Sequence, residues 1–445
     1  MPEASTYYGY GDDIMKRDFT QTPYDLNCPD PKDRLESLRA CMRGVIGGRI
    51  DKPQKGIDVN NHIHTTFSFS PYSPTLAVWK AYMAGLQTAG IMDHDSIAGA
   101  REFIEAGRIV GMATTIGVEC RVDFSDTPLS GRSINNPDQR SIAYVALHGI
   151  PHTQIDRVQE YFVPYTKARH DRNRLMVSRL NSIVSPLGIS LDYDEDVLPI
   201  SESARGGSVT ERHILYALSC KLVQKYGKGS ALVDAVKGQL GIEIRPKIEA
   251  FLLDEYNPHY EYDLLGVLKS DLVASFYVDA TDECPKVHDI VELSREVGAI
   301  LAYAYLGDVG ESVTGDKKTQ KFEDDYIEEL FEVIKDLGFN AVTYMPTRNS
   351  PDQLRTVKSL CERHELFQIS GEDINSPRQP FVCEALRNPE FHNLIDSTWA
   401  LIGHELSATE DLSQGMFSPQ TVQRWPSLKE RIKIFKAIGL EADRD

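Results

Sequence analysis

The chain has 445 residues, of which 41% are hydrophobic and 26% are charged, which is an ordinary composition for a globular protein. A chain of this length buries a large core, either in one domain with an insertion or in two domains. Its formal net charge of −18 repels polyanions and argues against long nucleic acid as a partner. A small anion can still bind where metal ions and arginines set the local charge.

The cellular compartment is predicted from what the sequence lacks. No apolar run approaches the roughly 20 residues that a membrane helix requires, so we expect no membrane association. Residues 1–30 are polar and contain no signal-peptide apolar segment. The seven cysteines are odd in number, scattered and without a Cys-x-x-Cys pair, which is typical of free thiols. These features predict a cytoplasmic protein, whereas the oligomeric state has no signal in the sequence.

Short β-prone runs alternate with helical patterns in two blocks of the chain. This alternation favours an α/β fold with a parallel sheet or barrel, whose functional site lies at the carboxyl ends of the strands. The predicted strands are 57–62, 89–93, 114–119, 142–148, 299–305, 340–344 and 366–370. The predicted helices between them are 75–88, 99–111, 288–297, 324–337 and 350–364.

Helical patterns without strands fill the middle and both ends of the chain. The middle segment is most simply a helical insertion that caps the site, and its arginines at 169, 172, 174 and 179 lie either on a solvated face or near the site. We expect the C-terminal helices to pack on the exterior of the barrel. The predicted units are an N-terminal extension (1–55), a barrel (56–153 and 283–385), the insertion (154–282) and a C-terminal helical extension (386–445).

Nitrogen and oxygen donors follow several predicted strands. His62 and His64 are two residues apart at the end of an extended run, so their side chains point to the same face and can meet one metal ion. His94 lies between two aspartates, Glu119 ends a strand, and Asp373 follows the last predicted strand. Imidazole and carboxylate groups are the ligands of hydrolytic metal centres.

These ordered motifs resemble the PHP (polymerase and histidinol phosphatase) family of metal-dependent phosphoesterases. The resemblance runs from about residue 57 to 378 and includes His-x-His-Thr-x-x-Ser, Asp-His-Asp, Gly-x-Glu, a later His and a final Gly-x-Asp. It implies a distorted (β/α)7 barrel of PHP type, two or three divalent metal ions and hydrolysis of phosphate esters. The most similar group acts on nucleotides and short 5′-phosphorylated ends.

The resemblance also implies roles for particular residues. His62, His64 and Asp373 would bind a first ion, Glu119 would bridge to a second ion bound by His148, and His94 would serve a third. The implied metal ligands are His62, His64, His94, Glu119, His148 and Asp373. The predicted catalytic residues are His94, Glu119 and Arg121, where Arg121 either grips phosphate or forms a surface salt bridge. The predicted substrate-binding residues are Arg212, His213, Tyr303, Tyr305 and Asn375.

The chain departs from the family pattern at several positions. Phe69 stands where the family has an acidic residue or histidine, residues 302–306 replace a His-Pro, and Asn375 replaces a histidine. The first metal site keeps four donors, whereas the second metal site needs a substitute ligand such as His152 or Asp308. The third would rest on His94 with Asn375, unless His94 contacts phosphate directly. We therefore expect one to three divalent ions per chain, with Mn, Fe and Zn equally compatible.

Three hypotheses about function remain open from the sequence. The first is hydrolysis of a small anionic phosphorylated metabolite or nucleotide through metal-activated water. The second is binding of a phosphorylated ligand without turnover, because usual ligands are missing. The third is metal-dependent hydrolysis of a bond that is not a phosphate ester.

Overall fold

The strands of the computed structural model lie side by side in one curled sheet, in the chain order β1 to β7. The structure describes residues 25–308 and 321–442, so the first 24 residues of the predicted N-terminal extension and the last three of the chain lie outside it. All seven predicted strands are confirmed within a few residues. They are β1 (Val59–Ile63), β2 (Thr88–His94), β3 (Ala113–Asp123), β4 (Ile142–His148), β5 (Ile300–Tyr305), β6 (Ala341–Tyr344) and β7 (Phe367–Ser370).

The direction of β4 differs from the prediction of a parallel sheet. Strands β1 to β3 are mutually parallel, and so are β5 to β7, but β4 is antiparallel to both of its neighbours. Residues 124–141, which connect β3 to β4, contain no helix. A parallel partner needs a long crossover, usually helical, whereas a chain that turns back directly pairs antiparallel. The result is an α/β fold around a seven-stranded half-barrel.

The two edges of the sheet meet at the carboxyl end of β1. The His64 amide donates to the Ile374 carbonyl at 3.0 Å, and the Ile374 amide donates to the His62 carbonyl at 3.1 Å. The side chain of Asn61 donates to the Ser370 carbonyl at 2.8 Å. These bonds place the segment that follows β7 directly beside the His-x-His motif.

Amphipathic helices flank the sheet, and all five helices predicted between the strands are present. The first begins after Asp30, whose side chain caps it, and the second is capped by Ser73 with proline at its first position. The helices outside the insertion are α1 (Pro31–Ile46), α2 (Pro74–Met83), α3 (Ala100–Val110), α9 (Val287–Val297), α10 (Ile327–Leu337), α11 (Pro351–Arg363), α12 (His392–Glu410), α13 (Pro419–Arg424) and α14 (Leu428–Ala442).

The predicted insertion, 154–282, forms helices around an apolar core of its own. This core contains Met176, Leu180, Leu218 and Leu268, and the barrel contributes Phe69 to it. The helices of the insertion are α4 (Ile155–Val184), α5 (Glu211–Tyr226), α6 (Ser230–Gln239), α7 (Pro246–Leu253) and α8 (Tyr260–Phe276). Within the described ranges, none of the helices of the chain has the length and apolar character needed to cross a membrane.

Helix α12, the first long helix of the C-terminal extension, does not pack on the exterior of the barrel, so the expectation was wrong for this helix. Thr398 on α12 accepts a hydrogen bond from Asn61 at 2.8 Å, and Glu405 on the same helix accepts one from Thr115 at 2.7 Å. Thr115 and Glu119 are four residues apart on β3 and share one face of the sheet. Helix α12 therefore fills the inner side of the half-barrel, below the edge where the metal-ligand candidates lie.

The contact between α12 and α14 depends on glycine. A Cβ atom at Gly403 would overlap the Phe435 carbonyl oxygen of α14. We expect Gly403→Ala to lower the free energy of unfolding by about 1–3 kcal/mol, because an added methyl group overpacks a close contact. Gly238→Ala, which meets no atom within 4 Å, should be neutral or stabilising by up to about 1 kcal/mol. Urea titration of both variants checks this, and equal stabilities would contradict the tight contact.

Candidate metal centre

Imidazole and carboxylate groups meet where the sheet edges join. His62 Nε2 lies 3.2 Å from His64 Nε2, and His64 Nε2 lies 3.1 Å from Asp373 Oδ1. The ligand atoms of these three residues all lie within 4.8 Å of one another. They converge because the backbone bonds to Ile374 hold the residue before it, Asp373, against the end of β1.

Glu119 connects this group to His94. Its Oε2 lies 3.2 Å from His94 Nδ1, 3.6 Å from His62 Nε2 and 3.9 Å from His64 Nε2. His94 and Glu119 are direct partners in the pairing of β2 with β3, so the register of two parallel strands sets their contact. The structure thus brings together five of the six predicted ligands, in two overlapping groups that share His64.

The pKa values of the cluster reflect its burial and its charges. Burial alone would raise the pKa of the Glu119 carboxyl, but the imidazoles of His62, His94 and His64 lower it to about 2. Burial lowers the pKa of His94 to about 3. At neutral pH Glu119 is therefore an anion beside a neutral His94 imidazole, and these are the protonation states in which both groups ligate metal.

A buried hydrogen-bond network holds His64 in place. Asp93 accepts from the Thr65 amide at 2.7 Å, from the Thr65 hydroxyl at 2.6 Å and from the Ser68 hydroxyl at 2.6 Å. The Ser68 oxygen in turn lies 3.1 Å from His64 Nδ1. Ser68 already donates its proton to Asp93, so it accepts one from His64 Nδ1, which leaves the Nε2 lone pair free for a metal ion. Thr65 and Ser68, which follow the two histidines in the sequence, therefore act through Asp93 to position His64.

We expect Ser68→Ala to weaken divalent metal binding about 10- to 100-fold, because the ring of His64 loses the group that orients it. Metal titration by calorimetry measures the change. Ser294→Ala is the matched control, since its buried hydroxyl donates only to the Val291 carbonyl. Unchanged metal affinity in a folded Ser68→Ala protein would show that this network does not position the ligand.

His148, the sixth predicted ligand, lies deeper in the half-barrel. It pairs with Gly117 on β3, two residues before Glu119, and faces the same side of the sheet. Its ring is buried, and its Nε2 has no hydrogen-bond partner among the described residues. Burial lowers the pKa of His148 to about 3, so its imidazole is neutral. The structure does not bring it into either described donor group, and its role at a second ion stays a prediction.

The two predicted substitutes at the second ion bind elsewhere. His152 Nε2 lies 2.9 Å from Glu405 Oε1 of helix α12. Asp308 accepts from the Phe322 amide at 2.5 Å, and its own amide donates to Asp324 at 3.0 Å. Neither side chain contacts the cluster in the described part of the chain.

The chain positions that depart from the family pattern have structural partners. The Phe69 ring packs 5.0 Å from the ring of His213, and the His213 Nδ1 accepts a hydrogen bond from the Thr210 amide at 3.0 Å. His213 therefore caps helix α5 and supports Phe69. Asn375 donates to Asp373 Oδ1 at 2.5 Å, so it orients a ligand carboxylate.

A cavity of about 90 Å³ opens beside the cluster, between the half-barrel and the insertion. His64 and His94 contribute one wall, and Arg212 and Lys269 come from the insertion. Arg212, predicted to bind substrate, also lines the cavity together with Asn375. A ligand in this cavity would contact both the cluster and charged side chains of the insertion.

Tyr303 and Tyr305 are not brought to the cluster. Tyr303 pairs with Val145 on β4, and so it lies on the face opposite Glu119. The Tyr303 hydroxyl donates to Glu323 at 3.3 Å, and the Tyr305 hydroxyl donates to Asp324 at 2.6 Å. Both tyrosines hold the segment that precedes α10 against the sheet, because alternation along β5 turns them away from the site.

The Glu323 carboxyl makes the stability of the fold depend on pH. It is fully buried, and burial raises its pKa to about 7. A carboxyl whose pKa is higher in the folded state stabilises the fold at acidic pH, and this contribution is lost as pH rises from its unfolded pKa of about 4.3 through 7. We expect Glu323→Gln to remove that loss and to be more stable than wild type above pH 7. Thermal unfolding from pH 5 to 8 tests this, and parallel curves for the two proteins would contradict it.

A buried ionic network beside the cavity was not predicted as a unit. Arg121 contacts Glu283 and lies 3.3 Å from Glu211, so it forms neither the surface salt bridge nor the open phosphate grip expected from the sequence. Asp95 adopts a left-handed conformation with φ of 50° and pairs with Arg169 at 2.6 Å. The arginines of the predicted helix between 167 and 183 were the available signal, and two of them, Arg169 and Arg172, belong to the network. The network comprises Asp95, Arg121, Arg169, Arg172, Glu211 and Glu283.

The donor set fits a divalent metal ion. Glu119 Oε2 lies within 3.9 Å of both imidazole Nε2 atoms, those of His62 and His64, and Asp373 Oδ1 lies 3.1 Å from that of His64. Imidazoles and carboxylates are ligand types that Zn, Mn and Fe accept. The cluster is therefore a candidate metal centre, and the donors do not identify the metal.

Comparisons with known proteins add little to this geometry. No family model matches the sequence, and no curated protein matches it. A Bifidobacterium adolescentis protein proposed to be a metal-dependent phosphoesterase is similar with 18% identity and a TM-score of 0.48, over 76% of this chain and 96% of that one. An amidohydrolase from Chromobacterium violaceum, whose structure holds sulfate and no metal, is similar with 18% identity and a TM-score of 0.49, over 73% and 90%. Likeness at this level carries no argument about function.

Proposed function

We propose that this chain is a metal-dependent phosphoesterase of the PHP type that hydrolyses a small phosphate monoester. The observation that carries the proposal is the convergence of His62, His64, Glu119 and Asp373 at one edge of the half-barrel, next to a cavity. A divalent ion bound there supplies a Lewis acid for phosphoryl oxygens and a water of lowered pKa. One ion at these four donors is the minimum, and a second near Glu119 and His148 belongs to the same proposal.

The residues of the chain would divide the work of binding and catalysis. Arg212 and Lys269, which line the cavity, would attract the phosphoryl group. The neutral His94 ring donates from Nδ1 to Glu119, so its Nε2 lone pair is left for a further ion or for a proton donor such as a hydroxyl or water. Asn375 would keep Asp373 oriented rather than bind substrate itself. The narrow cavity favours a small anionic metabolite or nucleotide over long nucleic acid, and we place the protein in the cytoplasm.

The proposal is tested by metal content and phosphate release together. Purified protein loaded with Mn, Zn or Fe should hold at least one ion per chain by elemental analysis and release phosphate from members of a monoester panel. Bound metal without turnover across the panel would favour the alternative of ligand binding alone. Turnover of amide or carboxylic ester substrates that inorganic phosphate does not inhibit would favour hydrolysis of another bond.

We expect Glu119→Gln to lower kcat/KM at least about 100-fold, because a central charged group of the site becomes a neutral amide of the same size. The fold should be retained, as judged by circular dichroism and thermal unfolding. Glu329→Gln, which removes a surface partner of Arg132, is the matched control and should keep full activity. Wild-type activity in Glu119→Gln would exclude this cluster as the catalytic site.

A further inference from the structure

One wall of the cavity beside the metal centre combines acidic and basic side chains of the insertion and of the half-barrel. Glu211, the first residue of α5, lines it together with Asp138 and Arg121. The Glu211 side chain is 21% exposed, whereas Glu283 behind it is 1% exposed. Asp95 also lines the cavity, but its side chain is 3% exposed, so Glu211 is the network carboxylate most accessible to a bound ligand.

The Glu211 carboxylate occupies a position built from arginine donors. Its Oε1 accepts from Arg172 Nη2 at 2.7 Å and from Arg121 Nη1 at 3.3 Å. The remaining terminal nitrogens of these arginines, Arg121 Nη2 and Arg172 Nη1, donate to Glu283. Two convergent guanidinium groups are the arrangement that proteins use for carboxylate and phosphate groups of ligands. In this protein the carboxylate of Glu211 fills the position between the two guanidinium groups.

The charges of the network balance. Three guanidinium groups face three carboxylates, those of Asp95, Glu211 and Glu283. Burial raises the pKa of the Glu211 carboxyl, but Arg121 and Arg172 lower it well below its ordinary value, so Glu211 stays charged. Removing its charge leaves one buried guanidinium charge uncompensated, which is costly unless an anion from solution replaces it.

We propose that Glu211 is a specificity-determining residue that occupies an anion-binding position between Arg121 and Arg172. The cavity then accepts a ligand with a single phosphoryl group. It excludes a ligand that carries, besides this phosphoryl group, a second acidic group next to Glu211. The prediction that the ligand carries a phosphoryl group rests on the proposed function. The inference that Glu211 occupies an anion position follows from the contacts of Glu211 alone.

Sulfate binding to metal-free protein tests the anion position without any need for activity. After chelator treatment, Glu211→Gln should bind one sulfate at least tenfold more tightly than wild type by calorimetry, because the arginine pair is open. Glu202→Gln is the matched control: its carboxylate also belongs to the insertion, is 16% exposed and pairs with Arg205 outside the cavity lining. It should bind sulfate as wild type does. A folded Glu211→Gln protein with wild-type sulfate affinity overturns the proposal.

A second measurement uses the wild-type protein, so it does not depend on the folding of a variant. Phenylphosphonate and 4-carboxyphenylphosphonate differ by one acidic group, and neither is hydrolysed. The carboxylated compound should bind metal-loaded wild type at least tenfold more weakly, and equal or tighter binding overturns the exclusion of a second acid. If neither compound binds while the sulfate result holds, the proposed phosphoesterase function fails and the anion position of Glu211 stands.

Discussion

The arrangement of the site depends on one constraint, the burial of the Glu119 carboxylate among the imidazoles of His62, His64 and His94. A buried carboxylate is tolerated only where positive charge or donors compensate it. The imidazoles supply part of that compensation, and a divalent ion would complete it. Strand register, the Ile374 backbone bonds and the network of Asp93 all act to bring groups to this carboxylate or to orient them around it.

The inner side of the half-barrel is completed by elements from far along the chain. Helix α12 fills the part below the site through Thr398 and Glu405, where a closed barrel would use side chains of its own strands. The insertion covers the other side and contributes its own core. The candidate site therefore lies in a cavity between the half-barrel and the insertion, and boundaries between structural units are a common position for ligand sites.

The insertion also determines the charge next to the site. Arg121 extends from β3 as expected, but its donors are used by Glu211 and Glu283 rather than left for a ligand. A chain with a net charge of −18 thus holds a balanced cluster of arginines and acids at its cavity. Overall charge gave no indication of this, because buried pairs are set by local contacts and not by the sum over the surface.

Periodicity and motif order alone determined the seven strands, the helices between them and five donor residues that meet at one edge, because strand ends in alternating α/β sequences fall at one edge. The tertiary structure decided what spacing cannot encode. It turned β4 antiparallel, placed α12 inside the half-barrel, directed Tyr303 and Tyr305 to the opposite face and set His148 one layer below the cluster. Each of these depends on contacts between residues that are distant in the chain or on the pairing register of neighbouring strands, and neither is visible in local sequence pattern.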